Sequence, residues 1–333
     1  MRDRALLVEP DRVDAVLPAL RSEGVYDPSR AIQKVDGSIA IPVSDPPAGV
    51  EGTVIAQATP VDRARTLADR LAAEGWADDA LDRLPGSWAV IGDIVLVRFP
   101  ADCPDRATVA ESLLELQGAD TVLARHGIEG SHREPEVEVV AGSGETETIH
   151  TEHGTKYALD LSEVMFSPGN QAERVRMGNV VDGDERVLDM FAGIGYFALP
   201  MARAGARVTA IERNPAAFGY LVENAALNGV EDRLSPVIGD CRAVVESFPT
   251  DTVARFDRVV MGYYDARDYL TAGLEALEAG GILHLHEAAP NAQLPDRPLD
   301  SLRTAAAEAG RSVEDHSVRT VKTHAEGVSH VVI

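Results

Sequence analysis

The chain is poor in the residues that build covalent or metal frameworks: Cys103 and Cys241 are the only cysteines among 333 residues. That excludes a disulfide-stapled fold and any four-cysteine zinc site, so no metal is implied. Lysine is almost missing, since Lys34, Lys156 and Lys322 are the only lysines among 31 basic residues. No apolar run approaches the roughly 20 residues of a membrane helix. The opening Met1 to Pro10 has too short an apolar stretch for a secretory signal before it meets Glu9 and Pro10. The expectation is a soluble cytoplasmic protein with no membrane partner. Internal repeats and low-complexity segments are also missing, which excludes solenoids and disordered arrays.

Acid is abundant. Fifty-four Asp and Glu face 31 Lys and Arg, a formal net charge of -23. Acidity combined with lysine depletion points to the high-salt cytoplasm of a halophilic archaeon; the alternative is a mesophilic acidic protein that avoids polyanions. At molar salt the Debye length is about 3 Å, so the charge does not forbid an RNA partner. Net charge therefore leaves the substrate open.

Pattern divides the chain into three segments. Residues 1–60 read as a small α+β module: a strand at Ala5–Val8, a helix from Pro10 to Glu23, a strand at Ser38–Val43 after the Asp36-Gly37 turn, and an edge strand over Thr53–Ala58. Residues 61–150 read as an α+β middle module. It has a helical pattern from Val61 to Leu84, a hairpin or bulged strand in Trp88–Arg98 broken at Gly92-Asp93, a helix over Ala107–Leu116, and strands at Val137–Ala141 and Thr146–His150. Across 151–333 strands and helices alternate: Arg186–Met190, Tyr196–Ala204, Arg207–Ile211, Pro215–Asn228, Leu234–Gly239, Arg255–Met261, Tyr269–Ala279 and Ile282–Glu287. Such alternation means a doubly wound, mostly parallel sheet covered by helices, an α/β Rossmann-like fold preceded by small accessory domains.

Val187-Leu-Asp-Met-Phe-Ala-Gly-Ile-Gly-Tyr-Phe197 places Gly193 and Gly195 between a strand and a helix, where missing Cβ atoms let a ligand approach the backbone. By themselves the two glycines are equally a tight turn. The next strand ends in Glu212, whose carboxylate suits the two hydroxyls of a ribose, and the third in Asp240, which with the backbone at Cys241 suits the adenine amine. Asp189 either meets an amine through water or anchors the loop. A dinucleotide site normally shows a third glycine; here Ala198 follows the bulky Tyr196-Phe197, leaving little room for a pyrophosphate. S-adenosylmethionine is the favoured cofactor.

Three stretches carry a family resemblance: Val164-Met-Phe-Ser-Pro-Gly-Asn-Gln-Ala-Glu-Arg-Val-Arg176, Glu223-Asn-Ala-Ala-Leu-Asn228, and Met261-Gly-Tyr263 with His284-Leu-His-Glu287. Together they resemble the archaeal tRNA guanine-N1 methyltransferases that act beside the anticodon, and their wyosine-pathway relatives. Arg133-Glu-Pro135, with Asp93, is similar to the accessory domains of that group. Methyltransferases acting on nitrogens usually carry an Asn-Pro-Pro type of loop after the fourth strand. Met261-Gly262-Tyr263 has no side-chain amide, and in this it resembles the 4-demethylwyosine aminocarboxypropyltransferases that act on tRNA(Phe). The resemblance implies transfer of the 3-amino-3-carboxypropyl group with release of methylthioadenosine, the anticodon region of tRNA(Phe) as partner, and no obligate protein partner. A guanine-N1 methyltransferase with an altered loop, or a non-catalytic tRNA-binding protein, are the alternatives.

Which sulfonium carbon reacts depends on the pose, in line with the departing sulfur. Ser167 and Arg174 are the expected holders of the methionyl chain, Arg174 through a charge-assisted bond to its carboxylate. His286, Glu287, Tyr263, Tyr264 and Asp265 stand at strand ends where the target base would lie, for proton transfer or stacking; no catalytic residue is assigned. Arg133, Arg176, Arg203 and Arg207 are scattered basic residues that suit phosphates or plain solvation.

Overall fold

The computed structural model describes residues 3–35, 37–57, 66–130, 134–248 and 255–333. Asp36 of the expected turn, the end of the edge strand at Ala58, the start of the helical pattern from Val61, and Arg133 lie outside them. Chain contacts define two compact units, one of residues 1–84 with 102–116, the other of 85–101 with 117–333. This division differs from cuts at 60 and 150, because the strands on either side of the 102–116 segment join the larger unit.

In the smaller unit, β1 (Arg4–Val8), α1 (Val13–Ser22), β2 (Gln33–Val35), β3 (Ser38–Val43) and β4 (Thr53–Ala56) form an antiparallel sheet of order β2-β3-β1-β4 with one helix. Leu6, Val16, Leu20 and Ile41 make its core. The helical pattern expected from Val61 to Leu84 resolves into α2 (Leu67–Ala73) and α3 (Asp78–Leu81). Thr66 and Asp69 form a capping box at the start of α2. Gly75, at φ 93°, separates the two helices, as a residue without a Cβ can do cheaply. The helix α4 (Arg106–Gln117) completes this unit.

In the larger unit, β5 (Trp88–Ile91) and β6 (Ile94–Val97) form the expected hairpin, and β7 (Thr121–Glu129) and β8 (Glu134–Gly142) extend it to a four-stranded sheet. A ribbon of β9 (Glu147–Glu152) and β10 (Thr155–Asp160) follows. After α5 (Gln171–Val180) comes the alternating region: β11 (Arg186–Asp189), α6 (Ala198–Arg203), β12 (Arg207–Glu212), α7 (Pro215–Leu227), β13 (Leu234–Ile238), α8 (Cys241–Glu246), β14 (Phe256–Met261), α9 (Leu270–Ala276), β15 (Leu277–Pro290), α10 (Asp296–Glu308), β16 (Arg319–Ala325) and β17 (Val328–Val332). The seven strands lie in the order β13-β12-β11-β14-β15-β17-β16, parallel through β15 and antiparallel beyond it. Strand order reverses between β11 and β14, which opens a crevice at their carboxyl ends. The fold is the Rossmann-like α/β class anticipated from the alternation.

The Glu223–Asn228 motif works as a clamp. Asn224, wholly buried on α7, accepts from the backbone N–H of Ala158 at 2.6 Å and donates to the carbonyls of Ala158 (3.0 Å) and Ile194 (3.1 Å). Asn228 repeats the pattern on Lys156. The ribbon is thereby tied both to α7 and to the glycine loop. Asn224→Ala leaves three backbone groups unsatisfied, so it should reduce unfolding free energy by about 2–4 kcal/mol. Denaturant titration in molar salt checks this, and an unaltered midpoint would show the clamp to be idle.

Candidate cofactor and base site

The loop after β11 is shaped by its glycines. Gly193 (φ 56°) and Gly195 (φ 101°) occupy left-handed conformations. A Cβ on Gly193 would run into the Tyr196 ring, and one on Gly195 would sit 2.7 Å from Leu199 Cδ1. Gly193 donates its N–H to Glu212 Oε2 at 2.8 Å, while Glu212 Oε1 accepts from the N–H groups of Arg213 (2.8 Å) and Asn214 (2.7 Å). The acidic strand end thus holds the glycine loop against β12. Asn214 caps α7 by accepting from Ala216, ahead of Pro215 at the first helical turn.

Asp240 caps α8 through Arg242 N–H at 2.9 Å and pairs with the Arg242 guanidinium at 2.7 Å. Hydrogen bonding from Arg242 holds its carboxyl down at about 2. Cys241 is buried beside it, and burial pushes its thiol up to about 11. Gly193, Glu212, Asp240 and Cys241 all line one cavity of roughly 520 Å³. The glycine loop after β11 and the ends of β12 and β13 thus border the same cavity. Asp189 is different: it is fully buried, does not line the cavity, and accepts from Phe191 N–H at 3.3 Å. Burial raises its carboxyl to about 7, and nearby Glu212 adds to this. Loop anchoring is the role its position supports.

Ser167 and Arg174 also line the cavity, but their partners were not legible in the sequence. Arg174 is buried and forms a two-pronged pair with Glu152, Nε to Oε2 at 2.6 Å and Nη2 to Oε1 at 2.7 Å. Its Nη1 donates to the Ser167 carbonyl at 3.0 Å, and its guanidinium covers the Phe166 ring at 4.8 Å. His150 completes the group: its Nδ1 accepts from Gly92 N–H at 3.1 Å, so the proton sits on Nε2 and donates to Glu152 at 3.2 Å. The charge expected to receive a ligand carboxylate is already answered by Glu152. Ser167 stands at the N-cap of a 3-10 turn, Pro168–Asn170, without capping it; its hydroxyl accepts from Lys322 Nζ at 2.7 Å.

Of the residues expected near the target base, Tyr263 and Tyr264 line the cavity, Tyr263 stacked on Phe191 at 5.3 Å. His286 and Glu287 do not line it. His286 is buried against Phe197 and bonds His330 at 3.0 Å, and Glu287 pairs with Arg297. His330, unremarked in the sequence, does line the cavity, and burial lowers its imidazole to about 4. A Cβ at Gly262 would lie 2.8 Å from the Phe197 ring. The loop after β14 therefore has no space for a larger side chain unless Phe197 moves.

Among the described residues no carboxylate pairs with Arg98, Arg125 or Lys322, which all line the cavity. Arg98 and Arg125 are exposed at its edge, whereas Lys322 is half-buried. Lysine scarcity was the one sequence signal available for Lys322. No cluster of His, Cys, Asp or Glu suited to a metal ion occurs among the described residues, and none of their helices is long and apolar enough to cross a membrane.

A glycine loop after the first parallel strand, an acidic second strand end and a third strand end around one cavity define a Rossmann-like nucleoside-binding transferase fold. The TRM5/TYW2 methyltransferase domain matches residues 148–314 and the TYW2 N-terminal domain matches residues 67–146. The chain belongs to the TRM5/TYW2 family. It is 40% identical over 259 residues to the tRNA(Phe) (4-demethylwyosine(37)-C(7)) aminocarboxypropyltransferase of Pyrococcus horikoshii, covering 77% of this chain and 91% of that protein. The crystal structure of P. horikoshii TYW2 in complex with MeSAdo is similar at TM-score 0.69 and 36% identity, over 81% of this chain and 97% of that one. Trm5b of Pyrococcus abyssi matches at TM-score 0.71 and 28% identity, over 100% of this chain and 98% of that one.

Proposed function

We propose that this protein transfers the 3-amino-3-carboxypropyl group of S-adenosylmethionine to C7 of 4-demethylwyosine beside the anticodon of tRNA(Phe), releasing methylthioadenosine. The observation that carries this reading is the 40% identity to the P. horikoshii aminocarboxypropyltransferase over most of both chains. Gly262, fenced by Phe197, supports it, since no amide stands there to orient a ring nitrogen.

The cradle fits the donor. The loop held at Gly193 and Gly195 leaves space where Cβ atoms would intrude, Glu212 retains lone pairs for ribose hydroxyls, and the Asp240-Cys241 corner borders the same cavity for adenine. S-adenosylmethionine supplies an activated carbon whose bond to sulfur breaks, with its electron pair going to sulfur, as the bond to the base forms. The ring proton then leaves C7 to solvent water, and Tyr263 and Tyr264 offer aromatic faces for a splayed base. Exposed Arg98 and Arg125 suit RNA phosphates at the cavity edge. We assign the protein to a high-salt cytoplasm, supported by its net charge of -23 and its lysine scarcity; screening there removes the long-range repulsion of RNA. The three segments 1–60, 61–150 and 151–333 stand as a proposed order of modules, the last holding the residues proposed to bind the donor.

Incubating tRNA(Phe) carrying either 4-demethylwyosine or unmodified guanosine beside the anticodon with carboxyl-labelled or methyl-labelled S-adenosylmethionine in molar salt tests the assignment. Label should enter RNA from the carboxyl position only. Transfer from the methyl position alone would make the protein a guanine-N1 methyltransferase, the activity named for the Trm5b relative.

A further inference from the structure

We infer that Lys322, Ser167 and Asn170 form the subsite for the α-amino-acid head of the donor, with Lys322 taking its carboxylate and Asn170 its ammonium group. The inference rests on the reading of the cavity as a site for S-adenosylmethionine, and it moves the carboxylate contact from Arg174 on α5 to Lys322 on β16. Charge accounting points there. Arg174, Arg258 and Arg319 are each answered by a carboxylate, Glu152, Glu185 and Glu173 in turn. Lys322 is not: in a chain with 54 acidic residues its hydrogen bond goes to the neutral hydroxyl of Ser167, at 2.7 Å. It is half-buried, and burial together with the Arg174 and Arg125 charges lowers its pKa. A cation taken from water without a counter-ion is costly unless a ligand supplies one.

Asn170 supplies the complement. Its Oδ1 is buried, lines the cavity, and has no hydrogen-bond partner among the described residues. A buried acceptor three positions from Ser167, opposite an uncompensated ammonium donor, matches a zwitterion. A phosphate would use the lysine and leave the acceptor empty. Depth favours the same ligand, since the exposed Arg98 and Arg125 stand where a backbone phosphate would pass. The lysine stem also has its space reserved: a Cβ on Gly169 would lie 3.2 Å from Lys322 Cδ. His330 borders the same cavity directly across from Lys322 in the strand register, so a head held by Lys322 would lie beside β16 and β17.

Calorimetry on the full chain in molar KCl tests this with two ligands, S-adenosylhomocysteine, which carries the head, and methylthioadenosine, which lacks it. Lys322→Met should weaken the former about 10- to 100-fold and Asn170→Leu about 5- to 10-fold, with methylthioadenosine binding unchanged. Lys322→Arg should recover part of the loss. Equal losses for both ligands, or no loss for either, would overturn the inference. So would an increased KM for tRNA with unaltered S-adenosylhomocysteine affinity, which would give Lys322 to an RNA phosphate. Methyl transfer by the unmodified chain would refute the proposed reaction and leave this head-group comparison standing as a separate result.

Discussion

Arg174→Ala is expected to cost about 3–5 kcal/mol of stability, because it strands a buried Glu152 carboxylate. Glu152 and Arg174 are 6% and 3% exposed, so neither charge can retreat into water. Burial works against the ionised Glu152, but hydrogen bonds from His150 and Arg174 outweigh it and hold its pKa below the ordinary carboxylate value. A depressed carboxyl pKa contributes stability above the unfolded value and loses it as pH falls through the folded one. The pair is therefore at full strength at neutral pH and weakens only on acidification below the usual carboxylate range. Thermal unfolding should show a large fall in Tm for Arg174→Ala, partly recovered when Glu152→Gln removes the stranded charge. S-adenosylhomocysteine binding lost in Arg174→Ala should return in part in the Arg174→Ala/Glu152→Gln double variant, since the damage is to the wall that carries Ser167. Unchanged Tm with a selective loss of S-adenosylhomocysteine would return Arg174 to the role of carboxylate ligand.

The second large effect is expected at Glu212. Its two oxygens accept three backbone N–H groups, from Gly193, Arg213 and Asn214, and it lines the cavity proposed to take the ribose. Glu212→Gln keeps the volume but turns one acceptor into a donor facing N–H groups. Affinity for S-adenosylmethionine and for methylthioadenosine should fall together, by about 10- to 100-fold. That common loss separates the ribose end from Lys322, whose substitution should affect only the ligand with an amino-acid head. Titration calorimetry of the variant decides it; retained methylthioadenosine affinity would mean that the adenosine lies elsewhere.

The ends of β12 and β13 and the glycine loop were legible because each strand closes on a short apolar run, Ala210-Ile211 and Val237-Ile238, and the first charged residue after it marks the strand end. Glu212 and Asp240 are those residues. The hairpin at Gly92-Asp93 was legible for a similarly local reason, the turn chemistry of Gly and Asp. In contrast, β16 and β17 carry Lys322, His324 and His330 within a polar pattern, with register shifts after Thr320 and Thr323. Strand character there comes from long-range pairing, of β17 with β15 and of β16 with β17. The helix pattern from Val61 to Leu84 failed at Gly75, where a left-handed residue ends α2 and the apolar period alone cannot show the break.

The sequence by itself determined the alternation of strands and helices, the glycine loop, and the acidic strand ends, because these depend on local periodicity and on residue types within a few positions. It also marked Lys322 as one of three lysines without saying why. Only the tertiary structure decided which charges are spent and which are free: Glu152 and Arg174 are 22 residues apart and neutralise each other, while Ser167 and Lys322 are 155 residues apart and do not. Ion pairing depends on distances of a few ångströms and on burial, and both arise when remote strands fold against one another.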